Sequence, residues 1–330
     1  MRAAIAGVAG LTLLAEEAAL LRRAEPAGVI LFGRNVADPA QLAALVAELR
    51  RVLPEGAVLL VDQEGGRVAR LRPPHWRAHP PAAAIGARFA ADPAAGLRAA
   101  WLTGALIGLD CAAAGFDVAC APVLDLAHPG AHSVIGDRAF GADPRAVARL
   151  GGALAAGLLA AGIQPVAKHA PGHGRALADS HEELPVVAAS DLADDVMPFT
   201  ENAGLPWMMT AHIVYAAVDP AHPATLSARV IAGMVRRRIG FDGVLVTDDL
   251  SMRALAGPPA ASAVAALAAG CDLALYGAGD FARTAALLDA CPAVRPETAV
   301  RLAAGAALAQ SRRVALDGAA LAAERARLLA

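Results

Sequence analysis

The ten residues GVLVTDDLSM, Gly243 to Met252, run a short apolar stretch straight into two adjacent carboxylates. Val244, Leu245 and Val246 read as a buried strand, because no polar residue alternates with them. Strand pleating turns successive side chains to opposite sides. Asp248 and Asp249 are therefore expected to point in different directions, one into a pocket and the other free to cap the turn or helix that follows.

The pattern recurs along the chain. Candidate strands are GVILF (28–32), AVLLVDQ (57–63), DVACAPVLD (117–125), IQPVAKH (163–169), WMMTAH (207–212), the GVLVTDD stretch and LALYG (273–277). Helical spacing of Ala and Leu lies between them, near Pro39–Val52, Ala94–Ala114, Pro144–Ala161, Ala189–Asn202, Ser227–Ile239 and Ala260–Ala269. Ser227 is placed to cap its helix and Gly240 to stop it. Five strands end in polar or ionisable groups: Asp62, Asp125, Lys168 with His169, His212, and Asp248. In a parallel barrel every strand delivers its C-terminal end to one face, where active sites of that architecture lie, and 330 residues exceed the roughly 250 it typically requires. The expectation is an α/β fold, a TIM-type (β/α)8 barrel in a single domain over residues 1–330. Seven strands are visible, so closure is inferred, an irregular strand order or closure stays open, and an open doubly wound sheet is the alternative.

Composition bounds the function. The chain is 57% hydrophobic with a formal charge of −2, enough apolar residue for a large core and no basic field for nucleic acid. Cys111, Cys120, Cys271 and Cys291 form no CxxC pair and suit reduced core thiols. MRAAIAGVAGLTLL has the arginine and apolar run of a short signal peptide without its small-residue cleavage site, which favours a cytoplasmic protein. Other apolar stretches break before the roughly 20 residues of a membrane span.

Two further segments carry chemistry. VDQEGGRVARL (61–71) puts Asp62 at a strand end, then a glycine pair that permits a tight turn or close ligand approach, then Arg67 and Arg70. It fits neither a dinucleotide nor a P-loop fingerprint, and Arg67 is free to pair with Glu64 or another surface carboxylate. KHAPGHGRALADSH (168–181) holds Lys168, three histidines and Asp179 in a stretch too rich in Pro and Gly for a helix. His169 and His173, four apart, would need that helix to ligate one metal. Asp179, two residues before His181, can orient the imidazole as a general acid or base.

Taken together, PAGVILFGRNV, VDQEGGRVARL, PVLDL, IGDRAFG, KHAPGHG, DSH, TAH and GFDGVLVTDDLSM resemble glycoside hydrolase family 3, in particular its small single-domain bacterial β-N-acetylhexosaminidases of peptidoglycan recycling. The resemblance spans about Pro26 to Tyr276 and implies a TIM barrel. It makes Asp248 the nucleophile of a retaining mechanism, His181 the general acid/base supported by Asp179, and Asp62, Arg70, Arg138, Lys168 and His169 sugar-binding residues. It implies release of terminal GlcNAc from GlcNAc-1,6-anhydro-MurNAc fragments, a small-molecule substrate, no cofactor and no metal; charge and hydropathy give no nucleic-acid or membrane partner, and a monomer is the default expectation. The alternatives are a β-glucosidase or β-GlcNAc phosphorylase of the same family, a metal-dependent barrel hydrolase using His169, His173, His181, His212 and Asp248, and a sugar-binding protein without turnover.

Overall fold

A computed structural model describes residues 1–255 and 257–330. Eight parallel strands run in sequential order: β1 (Arg2–Gly7), β2 (Pro26–Leu31), β3 (Val58–Val61), β4 (Val118–Ala119), β5 (Gln164–Ala170), β6 (Trp207–Thr210), β7 (Val244–Val246) and β8 (Ala274–Tyr276). β8 pairs with β1 in the register Ala4 to Ala274, and a parallel bridge from Val246 to Leu273 joins β7 to β8. Thr247 completes that seam: its backbone N–H donates to Leu273 O, and its hydroxyl accepts from Leu275 N at 2.9 Å. The sheet is thus a TIM-type barrel rather than an open doubly wound sheet, and its strand order is regular.

The eighth strand, invisible in the sequence reading, is Arg2–Gly7. Its signal-like composition has another cause: Ala3 to Ala6 are buried, flanked on both sides by strands. No helix of the described residues is long and apolar enough to cross a membrane.

Helices follow each strand: α1 (Ala15–Ala24), α2 (Pro39–Val52), α3 (Ala82–Ala91) with α4 (Pro93–Ala113), α5 (Pro144–Ala160), α6 (Ala193–Glu201), α7 (Ala228–Val230, continuing as a π-helix over Ile231–Arg238), α8 (Pro259–Ala269) and α9 (Phe281–Ala290). Helix α2 shows the local logic. Asp38 accepts from Ala40 N and Gln41 N, Pro39 occupies the first turn where no N–H is needed, and Leu42, Leu45, Val46, Leu49 and Val52 make the buried face. Ser227 caps α7 by accepting from Val230 N, and Gly240 ends it at φ +77°.

Two further helices, α10 (Pro296–Arg312) and α11 (Gly318–Leu329), complete the outer layer. Helix α11 reaches the rim through a buried chain of contacts. Arg325 donates to His79 Nδ1 at 2.9 Å, His79 Nε2 meets Asp110 at 3.0 Å, and Arg77 also pairs with Asp110. Burial holds the His79 imidazole below its ordinary pKa, opposed by its bond to Asp110. The carbonyl of the same residue accepts from Gly66 N at 2.9 Å, which fixes the turn after β3.

Helices α4 and α5 pack backbone to backbone. A Cβ on Gly104 would sit 2.0 Å from Leu154 O, and one on Gly157 2.1 Å from Trp101 O. Gly157→Ala gains about 1 kcal/mol of helix propensity but forces apart a packed interface, a cost of about 1–3 kcal/mol or more. Steric crowding against main chain should win, so Gly157→Ala is expected to lower Tm; an unchanged or higher Tm would show that the helices separate freely.

Candidate active site

Strand ends on the C-terminal face of the barrel surround a polar cavity of about 280 Å³. That is near the lower end of ordinary ligand pockets, about 300 Å³. The eight residues to which the resemblance gives catalytic or sugar-binding roles all line it: Asp62, Arg70, Arg138, Lys168, His169, Asp179, His181 and Asp248; Asp125 and His212, also at strand ends, do not.

One wall is a charge network. Asp62 follows β3 and accepts from Lys168 Nζ at 2.9 Å and from Arg70 at 3.2 Å. Lys168, near the end of β5, also meets Glu64 at 2.7 Å, and Arg138 grips Glu64 through Nε and Nη2, both at 2.8 Å. The glycine pair makes this approach possible. Gly65 and Gly66 adopt φ of +110° and +54°, and a Cβ on Gly65 would lie 2.4 Å from Pro80 O. Burial alone would raise both carboxyls, but neighbouring cations outweigh it: Lys168 and Arg70 hold Asp62 low, and Arg138 with Lys168 bring Glu64 to about 2. Burial likewise opposes the Lys168 charge, and the two carboxylates overcome it, raising the ammonium pKa.

Asp125 organises the floor. It is fully buried, accepts from His169 N at 3.1 Å and His173 N at 2.7 Å, and its Oδ2 lies 2.7 Å from His169 Nδ1. A carboxylate at Nδ1 fixes the tautomer and turns His169 Nε2 toward the cavity, where it stands 3.4 Å from Arg138 and 4.0 Å from Asp248.

The two adjacent carboxylates after β7 separate as pleating predicts. Asp248 lines the cavity and accepts from Asp249 N at 2.8 Å. Burial would raise its carboxyl, yet His169 and His212 bring it below the ordinary value, so it stays anionic at neutral pH. Asp249 turns away and accepts from Ser251 N and Gly277 N, each at 2.9 Å; it ties the turn to the end of β8, not to a helix N-terminus. Its own carboxyl is raised by burial.

Opposite stands the Asp179–His181 turn. Asp179 Oδ1 accepts from His181 N at 2.8 Å and meets His181 Nδ1 at 2.7 Å. The imidazole is oriented by its own turn, with Nε2 left for proton exchange.

Several features escaped the sequence reading. Glu64 belongs to the network, whereas Arg67, its presumed partner, pairs with Asp137 at 2.9 Å. Ser180 lines the cavity too, as does His173, which the sequence offered only as a metal ligand. The five-ligand metal set does not assemble: His212 is engaged at both nitrogens, by Thr225 and by Asp249 O, and among the described residues no three His, Cys, Asp or Glu side chains are grouped to hold a metal ion.

The network dictates an acid response. A carboxyl held below its unfolded value stabilises the fold above that value and loses the contribution as pH falls through the folded value. For Glu64 this window runs from 4.5 down to about 2. The urea midpoint of the wild type should fall across it, and Glu64→Gln should remove part of that slope; parallel curves would show that Glu64 gains nothing from its cations.

The family model for the glycosyl hydrolase family 3 N-terminal domain matches residues 6–303. A protein named beta-hexosaminidase from Bordetella parapertussis is 43% identical over 275 residues, covering 81% of this chain and 77% of the relative. The crystal structure of NagZ from Neisseria gonorrhoeae in complex with N-trifluoroacetyl-D-glucosamine superposes with a TM-score of 0.88 at 32% identity, covering 100% of this chain and 98% of the other. A family 3 β-N-acetylglucosaminidase from Paenibacillus sp. gives a TM-score of 0.80 at 34% identity, over 98% of this chain and 61% of that one. Matched along nearly its whole barrel, the chain belongs to glycosyl hydrolase family 3.

Proposed function

We propose that residues 1–330 form one catalytic domain, a retaining exo-β-N-acetylglucosaminidase that removes terminal GlcNAc from GlcNAc-1,6-anhydro-MurNAc fragments, with or without peptide, in peptidoglycan recycling. One observation carries the reading: an anionic Asp248 and an Asp179-oriented His181 line the same sugar-sized cavity. The relatives named above support the choice of an N-acetylhexosamine substrate.

In the first step an Asp248 carboxylate oxygen bonds to the anomeric carbon while the glycosidic C–O bond breaks, and His181 Nε2–H gives its proton to the leaving oxygen. Water then attacks the anomeric carbon, passes a proton to His181 Nε2 and frees Asp248. Two displacements retain configuration. An imidazole can give a proton in one step and take one in the next. Asp179 fixes its tautomer and stabilises the imidazolium. Asp62, Arg70, Lys168 and Arg138 bind the sugar hydroxyls, and their mutual ion pairs hold them in place before the sugar arrives. His169, braced by Asp125, bridges between this wall and Asp248.

In this reading the protein acts as a monomer and in the cytoplasm, where its four buried cysteines stay reduced.

The deciding assay compares an aryl β-GlcNAc with the matching β-glucoside, each with and without phosphate and chelator. Hydrolysis of the GlcNAc substrate, indifferent to both additions, is expected; preference for glucose, dependence on phosphate or loss on chelation would each replace this reading with a named rival. Asp248→Ala should lower turnover at least about a thousandfold, on the scale of removing a member of a catalytic set. His181→Ala should reduce kcat/KM far more for alkyl than for dinitrophenyl glycosides, because only a poor leaving group needs the proton. Equal losses on both would assign His181 another task.

A further inference from the structure

We propose that His173 and Ser180 form a latch that holds the Asp179–His181 pair in position over the cavity, making both of them positioning residues for the proton transfer. The inference rests on the role given to His181 above.

Within Asp179–Ser180–His181 the middle residue is turned inward. Ser180 is 2% exposed, against 24% and 60% for the side chains of Asp179 and His181. Its Oγ lies 3.0 Å from His173 Nε2. The Asp179 to His181 bond orients the ring relative to its own turn, but it does nothing to place that turn against the barrel. Among the described residues, His173 to Ser180 is the one side-chain hydrogen bond from this tripeptide to the barrel wall. Backbone support comes from across the cavity, where Ser180 O accepts from Ala254 N at 3.2 Å and His181 O from Arg253 N at 3.4 Å.

The fixed half of the latch is well anchored. His173 N donates to Asp125, the carboxylate that also braces His169, and Gly174 packs so tightly that a Cβ there would fall 2.1 Å from Leu126 O. Packing alone does not call for an imidazole at this place. His173 Nδ1 is buried without a partner, a cost that an apolar side chain would avoid. Burial and the nearby His169 bring the His173 pKa to about 4, so the ring is neutral at working pH and its Nε2 can share a hydrogen with Ser180 Oγ in either sense. Asp125 thereby links the histidine beside Asp248 to the latch of the proton donor through two residues of one loop.

The test uses kcat/KM for alkyl and dinitrophenyl β-GlcNAc glycosides, which reports the first chemical step. Ser180→Ala should lower the alkyl value by roughly ten- to a hundredfold, part of the about 10²–10⁴ that a positioned general acid supplies. Its loss on the dinitrophenyl substrate should be far smaller. Ser180→Thr should restore most of the alkyl activity, and His173→Leu should reproduce the Ser180→Ala pattern. In a His181→Ala background, Ser180→Ala should add less than about a twofold loss, since groups acting through one another are not additive. Equal losses on both leaving groups, no rescue by threonine, or a full further loss without His181 would each overturn the latch. Should the wild type hydrolyse neither glycoside, the assigned activity would fall first, which is a separate result.

Discussion

A lysine ammonium buried at the end of a barrel strand must be neutralised where it stands, and the site is arranged around that requirement. Taking an ion from water costs several kcal/mol even after relaxation. Lys168 is 2% exposed and lies against two carboxylates, Asp62 and Glu64, delivered by the turn after β3. Those carboxylates in turn need cations, supplied by Arg70 and Arg138. Lys168 and Arg138 reach carboxylates of another segment, so the turn after β3, the 136–138 segment and the end of β5 have one mutually compatible arrangement.

Such a wall is suited to a neutral polyol. Its charges are already satisfied, so a sugar enters by adding hydrogen bonds to lone pairs and N–H groups that remain, without having to neutralise anything. The groups proposed to react lie elsewhere and are prepared differently. Against its burial, the Asp248 carboxyl is held below its ordinary value beside His169 and His212, and His181 takes its orientation from a carboxylate two residues away. Asp125 makes no contact with the cavity yet determines the posture of His169 and His173. Order thus passes from a fully buried carboxylate outward to the two histidines it braces.

Seven of the eight strands and most helices were legible because uninterrupted apolar runs and Ala/Leu periodicity are local signals. Strand β1 was not: six residues with a leading arginine and three alanines resemble a targeting segment until their neighbours are known. The candidate residues were legible because five polar groups stood at strand ends, and the family resemblance distributed roles among them. Glu64 was missed because Arg67, three residues away, offered a plausible partner, whereas its real ones, Arg138 and Lys168, come from distant segments. His173 and Ser180 carried no periodic signal, since their bond depends on how an irregular loop turns back on itself. The seam between β7 and β8, where Thr247 substitutes a hydroxyl for a ladder acceptor, is equally a property of the closed sheet alone.

Closure through β1 also bears on how the chain is made. The first strand of the barrel is completed by its eighth, since Ala4 aligns with Ala274. During translation the growing sheet carries open edges that no later element covers until β8 emerges, and unpaired edges are templates for association with other chains. Pairing of such sequence-distant strands is intrinsically slow. In the completed barrel β1 and β8 cover one another and a bridge joins β7 to β8, so exposure to aggregation is greatest on the ribosome and during refolding.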